Sequence, residues 1–179
     1  MIDPASGPFL FDTSAESWLA RTQHRRFELW LAEYLSLHRM HVSALTVVER
    51  IRGYALLAQR AGKSRALEVE QARITYLSGL GRVWPIDAPI GVVAGEIMAL
   101  LPSPPTPPRR AHRLVESRQD RLVRWRFDAI IAATALVAGM SLIHNNAADY
   151  ESIRGAIERT PDRFPRLGPL QLIRCESLA

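Results

Sequence analysis

Four acidic residues lie directly beside or close to apolar segments of the sequence. Segments of this kind are usually buried, so a position on the solvent-exposed surface does not readily explain these four charges. They are Asp12 after PFLF (8–11), Glu49 after LTVV, Asp128 before AIIAATALVAG, and Asp149 shortly after MSLIH (140–144). A lone buried carboxylate is costly unless a helix N-terminus or a cation compensates its charge. These residues are therefore the first candidates for chemistry.

Each acid taken singly also has a purely structural explanation. A capping box over 13–16 with a turn at Asp12 would account for the first acid. The helix dipole would stabilise Glu49 in a first turn, and Asp128 and Asp149 could be N-cap residues. The choice depends on whether the fold brings the four acids together.

The elements that must position them follow from the hydrophobic pattern. Short apolar runs alternate with longer segments of helical period, which is typical of an α/β domain with a mostly parallel sheet. Strands are predicted at 8–11, 41–48, 82–86, 140–144 and 170–175, and helices at about 15–37, 49–60, 64–79 and 91–101, the last stopped by PSPPTPP (102–108). The tail after Tyr150, with three prolines, is expected to be irregular until its last strand. The expected fold is a three-layer α/β sandwich around a sheet of about five strands.

This topology predicts that the acids meet. The carboxyl ends of parallel strands share one crevice, and Asp12, Glu49 and Asp149 each follow a predicted strand. Asp128 opens a helix that can point its N-terminus at the same crevice. Carboxylates gathered in this way raise one another's pKa unless a cation holds them, and hard divalent ions prefer oxygen ligands. The residues predict a Mg²⁺ or Mn²⁺ site.

Composition indicates a single domain over residues 1–179. Apolar residues make up 47% and charged residues 23% of the chain, as in ordinary globular proteins. The single cysteine, Cys175, excludes an internal disulfide, and the N-terminus does not have the pattern of a signal peptide. The longest uncharged stretch, 129–143, is too short to span a bilayer and is better explained by a buried helix running into a buried strand. The expected compartment is the cytoplasm.

The charge is positive and unevenly spread. The net charge is +5, and the segment 109–126 holds seven arginines against two acids. Such a segment is either a solvated helical face or a strip that contacts phosphates.

Other motifs do not support competing chemistry. AGKS (61–64) has no glycine five residues before Gly62, so it is not a phosphate-binding P-loop. No Gly-x-Ser-x-Gly elbow is present, and His38 and His41 have no cysteine or further histidine nearby to complete a metal site. Aspartyl-phosphate phosphatases also have an acid after the first strand, as Asp12 is here, but they need a second acid two residues later, where this chain has Ser14.

The segments FLFDTSAESWL, LTVVERIRG, WPIDAPIGVVAGEI and RFDAIIAATALVAGMSLIHNNAADY, in this order, resemble the PIN-domain endoribonucleases, most closely the VapC toxins of bacterial toxin–antitoxin pairs. The likeness covers most of residues 8–154. Its most specific part is the helix that starts with Asp-Ala-Ile-Ile-Ala-Ala, followed by a strand and Asn-x-x-Asp-aromatic.

The resemblance implies roles for individual residues. Asp12, Glu49, Asp128 and Asp149 match the four family acids, with Ser14 and Asn146 as supporting residues. His144 departs from the family, which usually has a hydroxyl residue there, and the Pro/Arg-rich insertion at 102–125 and the tail at 155–169 exceed the compact family pattern.

The resemblance implies a Mg²⁺- or Mn²⁺-dependent endoribonuclease, with an RNA substrate, a cognate antitoxin protein and a homodimer, and no membrane. Arg124, Arg126 and the arginines before them are expected to guide the RNA backbone. The alternative is a non-catalytic α/β module that binds nucleic acid or a protein partner, with the acids serving only as caps.

Overall fold

The computed structural model describes residues 1–105, 107, 110–111 and 114–179, with the backbone only at 110, 111, 114 and 115. The strands are β1 (Leu10–Phe11), β2 (Met40–Ser43), β3 (Leu80–Trp84), β4 (Arg110–Ala111), β5 (Leu114–Val115), β6 (Leu142–His144) and β7 (Leu172–Arg174). The helices are α1 (Thr13–Leu19), α2 (Arg25–Leu37), α3 (Ala44–Arg60), α4 (Lys63–Gly79), α5 (Ala88–Leu100), α6 (Arg118–Ala138) and α7 (Ala147–Arg159). Short 3₁₀ turns lie at Pro4–Ser6, Pro161–Arg163 and Cys175–Ser177.

Five strands form a parallel sheet in the order β3-β2-β1-β6-β7, which confirms the predicted α/β fold. Successive residues of a strand point to opposite faces, so a sheet covered on both sides has apolar residues throughout. Leu10 and Leu142 pack into one core with α5, α6 and α7, whereas Phe11 and Ile143 pack into a second core with α1 and α2. The result is the predicted three-layer sandwich.

All five predicted sheet strands are present, but the second is much shorter than expected. We predicted a strand over 41–48, and the structure ends β2 at Ser43 and continues as α3. The Ser43 hydroxyl accepts a hydrogen bond from the Leu45 N–H at 3.4 Å and so caps the helix. The run LTVV favours a strand by local propensity, and this cap together with the burial of Leu45 and Thr46 overrides it.

The helix predicted over 15–37 is in fact two helices. The chain turns between Leu19 and Arg25, which allows the Trp18 and Phe27 rings to pack edge to face with centroids 4.7 Å apart. The tail after Tyr150 was also wrongly predicted, since α7 continues to Arg159 before the irregular segment begins. The helix predicted over 91–101 starts earlier, at Ala88, because the Asp87 side chain caps it.

The predicted insertion at 102–125 contains the antiparallel pair β4–β5 and the first turns of α6. Arg109 and Arg113 lie outside the described residues. In the part of the chain that is described, no helix has both the length and the apolar character needed to cross a bilayer. Residues 129–143 form the end of α6 and the start of β6, as expected from the sequence.

Candidate active site

Asp12 lies directly after β1, at the carboxyl edge of the sheet, and is almost fully buried. Its side chain caps α1, with Oδ1 accepting a hydrogen bond from the Ala15 N–H at 2.6 Å. The Ser14 hydroxyl lies 2.9 Å from Oδ1 and 2.8 Å from Oδ2 of the same carboxylate. The cap is therefore Asp12 itself, and the capping box over 13–16, offered as a structural explanation of this acid, does not form.

Asp128 reaches the same region from the middle of α6. The prediction that it opens a helix is wrong, because α6 starts at Arg118 and its N-cap is Ser117, whose hydroxyl accepts from the Asp120 N–H. The Asn146 amide donates to Asp128 Oδ2 at 3.0 Å and to Asp149 Oδ2 at 2.8 Å, so one side chain bridges two of the acids.

Glu49 is placed at the site by helix α3 and not by the strand that the sequence predicted. It lies in the second turn of α3, not at a strand end, and the Thr13 hydroxyl donates to its Oε2. This hydrogen bond joins α1 to α3 and holds Glu49 on the same side of the sheet as Asp12.

Asp149 lies in the first turn of α7 and is fully buried. Its Oδ1 pairs with Arg121 Nη2 at 2.6 Å, and its Oδ2 lies 3.5 Å from Arg124 Nη1. Among the four acids it is the one that does not line the cavity at the centre of the cluster.

That cavity has a volume of about 460 Å³. Its lining consists of Asp12, Thr13, Ser14, Ser17, Arg21, Glu49, Arg124, Asp128, Ile131, Asn145 and Asn146. Arg124 therefore lies in the cavity wall, whereas the exposed Arg126 lies outside it. Both arginines precede Asp128 on α6, and only Arg124, four residues before it, shares its helical face.

Sequence reasoning did not identify Arg21, and it counted Arg121 among the arginines that guide the RNA backbone. That expectation is wrong, because Arg121 is buried and pairs with Asp149. Ser14, Ser17 and Arg21 have the three- and four-residue spacing of one helical face, and although α1 ends at Leu19, that spacing could have identified Arg21 as a cavity residue. Arg121 and Asp128 are seven residues apart, again on one helical face, so the position of Arg121 near the acids could also have been found.

Burial raises the pKa of each of the three acids that line the cavity. Burial raises the pKa of Asp12 to about 6, against hydrogen bonds from Ala15 and Ser14 that lower it. Burial raises the pKa of Asp128 well above its usual value, and the charges of Asp12 and Asp149 raise it further. Burial also raises the pKa of Glu49, although the Thr13 hydrogen bond opposes the rise. A cation in the cavity would relieve all three.

The cavity acids supply the hard oxygen donors that Mg²⁺ or Mn²⁺ prefers. They surround the cavity without converging on one point, and within the described ranges no three His, Cys, Asp or Glu side chains form a ready-made metal site. Three carboxylates of raised pKa facing one small polar cavity fit such an ion in chemistry and charge.

His144 ends β6 and is fully buried beneath the site. Its ring packs on Tyr150 with centroids 5.0 Å apart, and neither ring nitrogen has a hydrogen-bond partner among the described residues. Burial lowers the pKa of His144 to about 4. The imidazole is therefore a neutral core group and does not line the cavity.

Comparison with known proteins gives the family. The PIN domain model matches residues 9–154, most of the chain. No curated protein matches the sequence.

Solved structures share the fold at low identity, and one of them is a toxin–antitoxin complex from Klebsiella pneumoniae with a TM-score of 0.51 at 20% identity, covering 83% of this chain and 94% of that one. FitAcB from Neisseria gonorrhoeae has a TM-score of 0.61 at 21% identity, covering 94% of this chain and 99% of that one. VapBC2 from Rickettsia felis, bound to a DNA fragment from its promoter, has a TM-score of 0.58 at 15% identity, covering 93% and 97%. DNA-bound VapBC from Salmonella typhimurium has a TM-score of 0.58 at 18% identity, with the same coverage of 93% and 97%. With a family match over most of its length and this fold, the chain belongs to the PIN domain family.

Proposed function

We propose that this PIN-domain chain is a Mg²⁺- or Mn²⁺-dependent endoribonuclease and the toxin of a toxin–antitoxin pair. The observation that carries the proposal is the cavity at the carboxyl edge of the sheet, which is lined by Asp12, Glu49, Asp128 and Arg124. Acids acting only as helix caps would not need to share a cavity, and only Asp12 of these three is a cap.

Asp12, Glu49 and Asp128 would hold the ion, with Asp149, the fourth predicted ligand, joined to Asp128 through Asn146. When bound, the ion would supply a water of lowered pKa and neutralise charge on the leaving oxygen of a phosphodiester. Serine and cysteine nucleophiles have no part in such a hydrolysis.

The chain's own residues would set up this reaction. Ser14 links the two halves of the site, since its hydroxyl contacts Asp12 and accepts a hydrogen bond from the Asn145 N–H at 3.0 Å. It would keep the Asp12 carboxylate in one orientation toward the cavity. Arg124 in the wall and Arg21 at the rim would hold the negative RNA backbone.

The same proposal includes the toxin role of this chain and the protein partners that a toxin would have. Two of the solved structures named above, the VapBC2 and VapBC structures, are bound to DNA, and another structure of this fold is a toxin–antitoxin complex. We therefore expect a cognate antitoxin for this chain, a homodimer in solution, and action in the cytoplasm. Co-purification with the product of the neighbouring gene would test for the antitoxin, and sedimentation would test for the dimer.

The deciding experiment is RNA cleavage mapping with and without Mg²⁺. The wild-type chain should cut RNA only with the ion, and Asp12→Asn should slow cutting by more than about 100-fold. Mutation of residues that only hydrogen-bond to a metal ligand already lowers activity by about 10- to 100-fold, and loss of a ligand itself should cost more. Asp162→Asn changes an exposed acid outside the cavity and is the matched control.

Persistent Mg²⁺-dependent cleavage by a folded Asp12→Asn protein would reject the assignment. RNA binding without any cleavage would favour the alternative, a non-catalytic nucleic-acid-binding module. A rise in melting temperature with Mn²⁺ that disappears in Asp128→Asn would support the metal site independently of cleavage.

A further inference from the structure

Asp149 differs from the three cavity acids in its partners. Its Oδ1 pairs with Arg121 at 2.6 Å, and the exposed fractions of the two side chains are 1% and 2%. The pair joins α7 to α6 across 28 residues of sequence. Both side chains are almost completely removed from solvent, where an ion pair is costly to break, so the pair is a fixed part of the structure.

The second oxygen of Asp149 is also engaged. Oδ2 accepts a hydrogen bond from Asn146 at 2.8 Å and faces Arg124 Nη1 at 3.5 Å. A metal ion bound to this carboxylate would compete with these donors and lie beside two guanidinium cations, which would repel it.

The cavity acids are not held by direct ion pairs, although the charge of Arg124 in the cavity wall lowers the pKa of Glu49 and of Asp128. Across the described residues, Asp12, Glu49 and Asp128 make no ion pair within 4.0 Å, and their hydrogen-bond donors are neutral. Neutral donors leave the charge of a carboxylate available to a metal. The four acids therefore divide into three that face the cavity and one that holds arginines.

Arg124 lies in the cavity wall, where Glu116 and Asp149 hold its guanidinium group. Its Nε and Nη2 donate to the two oxygens of Glu116 at 2.8 and 2.7 Å, and its Nη1 faces Asp149. A guanidinium has five N–H donors, so two on the Nη atoms remain for a ligand. Because two carboxylates already fix its orientation, binding a phosphate would cost little side-chain entropy.

We propose that Asp149 is a positioning residue and not a metal ligand. Together with Glu116 it fixes Arg124, which contacts an RNA phosphate next to the bond that is cut, while Arg121 neutralises Asp149 from the core. This proposal rests on the proposed nuclease function. It assigns the three cavity acids to the metal ion and Arg124 to the RNA.

The first test measures Mn²⁺ affinity by calorimetry, without RNA. Asp149→Asn alone changes the net charge near the metal, so the informative variant is Arg121→Gln/Asp149→Asn, which removes one charge of each sign and keeps a hydrogen-bonding pair. We expect this double variant to bind Mn²⁺ within about threefold of wild type, and Asp128→Asn to lose more than about tenfold. Loss of more than tenfold in the double variant would overturn the proposal.

The second test measures RNA affinity in EDTA, so that no cleavage occurs. Arg124→Gln should weaken binding several-fold and reduce the slope of log affinity against log salt by about 0.7, the value for one phosphate contact on a single strand. The Arg121→Gln/Asp149→Asn variant should weaken RNA binding similarly, and adding Arg124→Gln to it should cause no further loss. Unchanged RNA affinity in Arg124→Gln, or fully additive effects, would overturn the proposal.

These outcomes separate the two proposals. If the wild-type chain neither binds Mn²⁺ nor cleaves RNA, the nuclease function and the positioning role both fall. If the wild type does both and the charge-neutral double variant loses Mn²⁺, only the positioning role falls. Circular dichroism of each variant establishes that it is folded, and Arg65→Gln, which changes an exposed arginine on α4 outside the cavity, is the matched control for Arg124→Gln.

Discussion

Replacing Glu16 by glutamine should stabilise the protein in alkaline solution. Glu16 lies on α1 with 4% of its surface exposed, in the wall of an apolar cleft of about 400 Å³ bounded mainly by α1, α3 and α4. Its Oε2 lies 3.6 Å from Arg50 Nε and accepts a hydrogen bond from the Tyr76 hydroxyl at 3.4 Å. Oε1 is buried and has no hydrogen-bond partner in the described chain, so the carboxylate is incompletely compensated.

The size of the effect follows from the pKa. Burial raises the pKa of Glu16 from 4.5 to about 8, although Arg50 and Tyr76 lower it. The folded state therefore holds the proton more tightly than the unfolded chain does, and the free energy of unfolding falls as the pH rises from 4.5 to 8. At 1.36 kcal/mol per pH unit the full loss is about 5 kcal/mol, reached above pH 8. Glutamine has nearly the same volume and cannot ionise, so it should recover much of this loss.

The assay is urea unfolding of the metal-free protein at pH 5, 7 and 9. The advantage of Glu16→Gln over wild type should be smallest at pH 5 and should grow to at least about 2 kcal/mol at pH 9. Glu33→Gln, an exposed glutamate on α2, is the control and should show no pH-dependent difference. A Glu16→Gln protein whose stability follows the wild type in parallel at all three pH values would refute the reasoning.

Three further predictions concern the site and its supports. Ser14→Ala removes the hydroxyl that contacts both oxygens of Asp12, so single-turnover RNA cleavage should slow by about tenfold while the melting temperature changes little. His144 has a folded pKa of about 4 against 6.5, so the wild type should lose about 3 kcal/mol as the pH falls from 6.5 to 4, and urea titrations of His144→Gln should show this component missing. Gly139 caps α6 at φ 63° with open space around it, so Gly139→Ala should cost about 1 kcal/mol of backbone strain, whereas Gly53→Ala inside α3 should gain about as much in the same unfolding assay.

The sheet could be predicted from the sequence because its strands are marked by local composition. Apolar β-forming runs bounded by turns gave all five sheet strands, and their alternation with helical segments indicated the parallel topology. From that topology alone, Asp12 could be placed at the carboxyl edge, because a residue that directly follows a central parallel strand has nowhere else to lie.

Glu49 and Asp128 were correctly predicted to lie at the cavity, but the secondary structure predicted around each of them was wrong. Local propensity favours a strand through LTVV, and only the Ser43 cap and the packing of α3 show that Glu49 lies on a helix. A buried apolar run after Asp128 suggested a helix start, but α6 had already begun with the arginine-rich segment. For both acids the predicted topology led to the right cavity from the wrong element boundaries, and the resemblance to PIN domains independently pointed to the same residues.

The pairing of Asp149 with Arg121 could not be predicted, because it joins residues 28 positions apart on different helices. A charge in a sequence gives no sign of whether its partner will be a metal, a water or another side chain. That information exists only once the helices are packed, and here it changes the expected role of one of the four acids.

The spacing along α6 suggests why such a division of charge suits a nuclease. Arg121, Arg124 and Asp128 are three and four residues apart, so one rigid helix presents them on one face. The distance between an acid that would face a metal and an arginine that would face a phosphate is then set by the helical repeat, with no flexible loop between them. Metal and phosphate groups must be held in fixed relation for in-line attack, and a small misplacement is costly in rate. The burial of Arg121 and Trp125 in the same helix anchors this face to the core, which makes the geometry of the site a property of the fold itself.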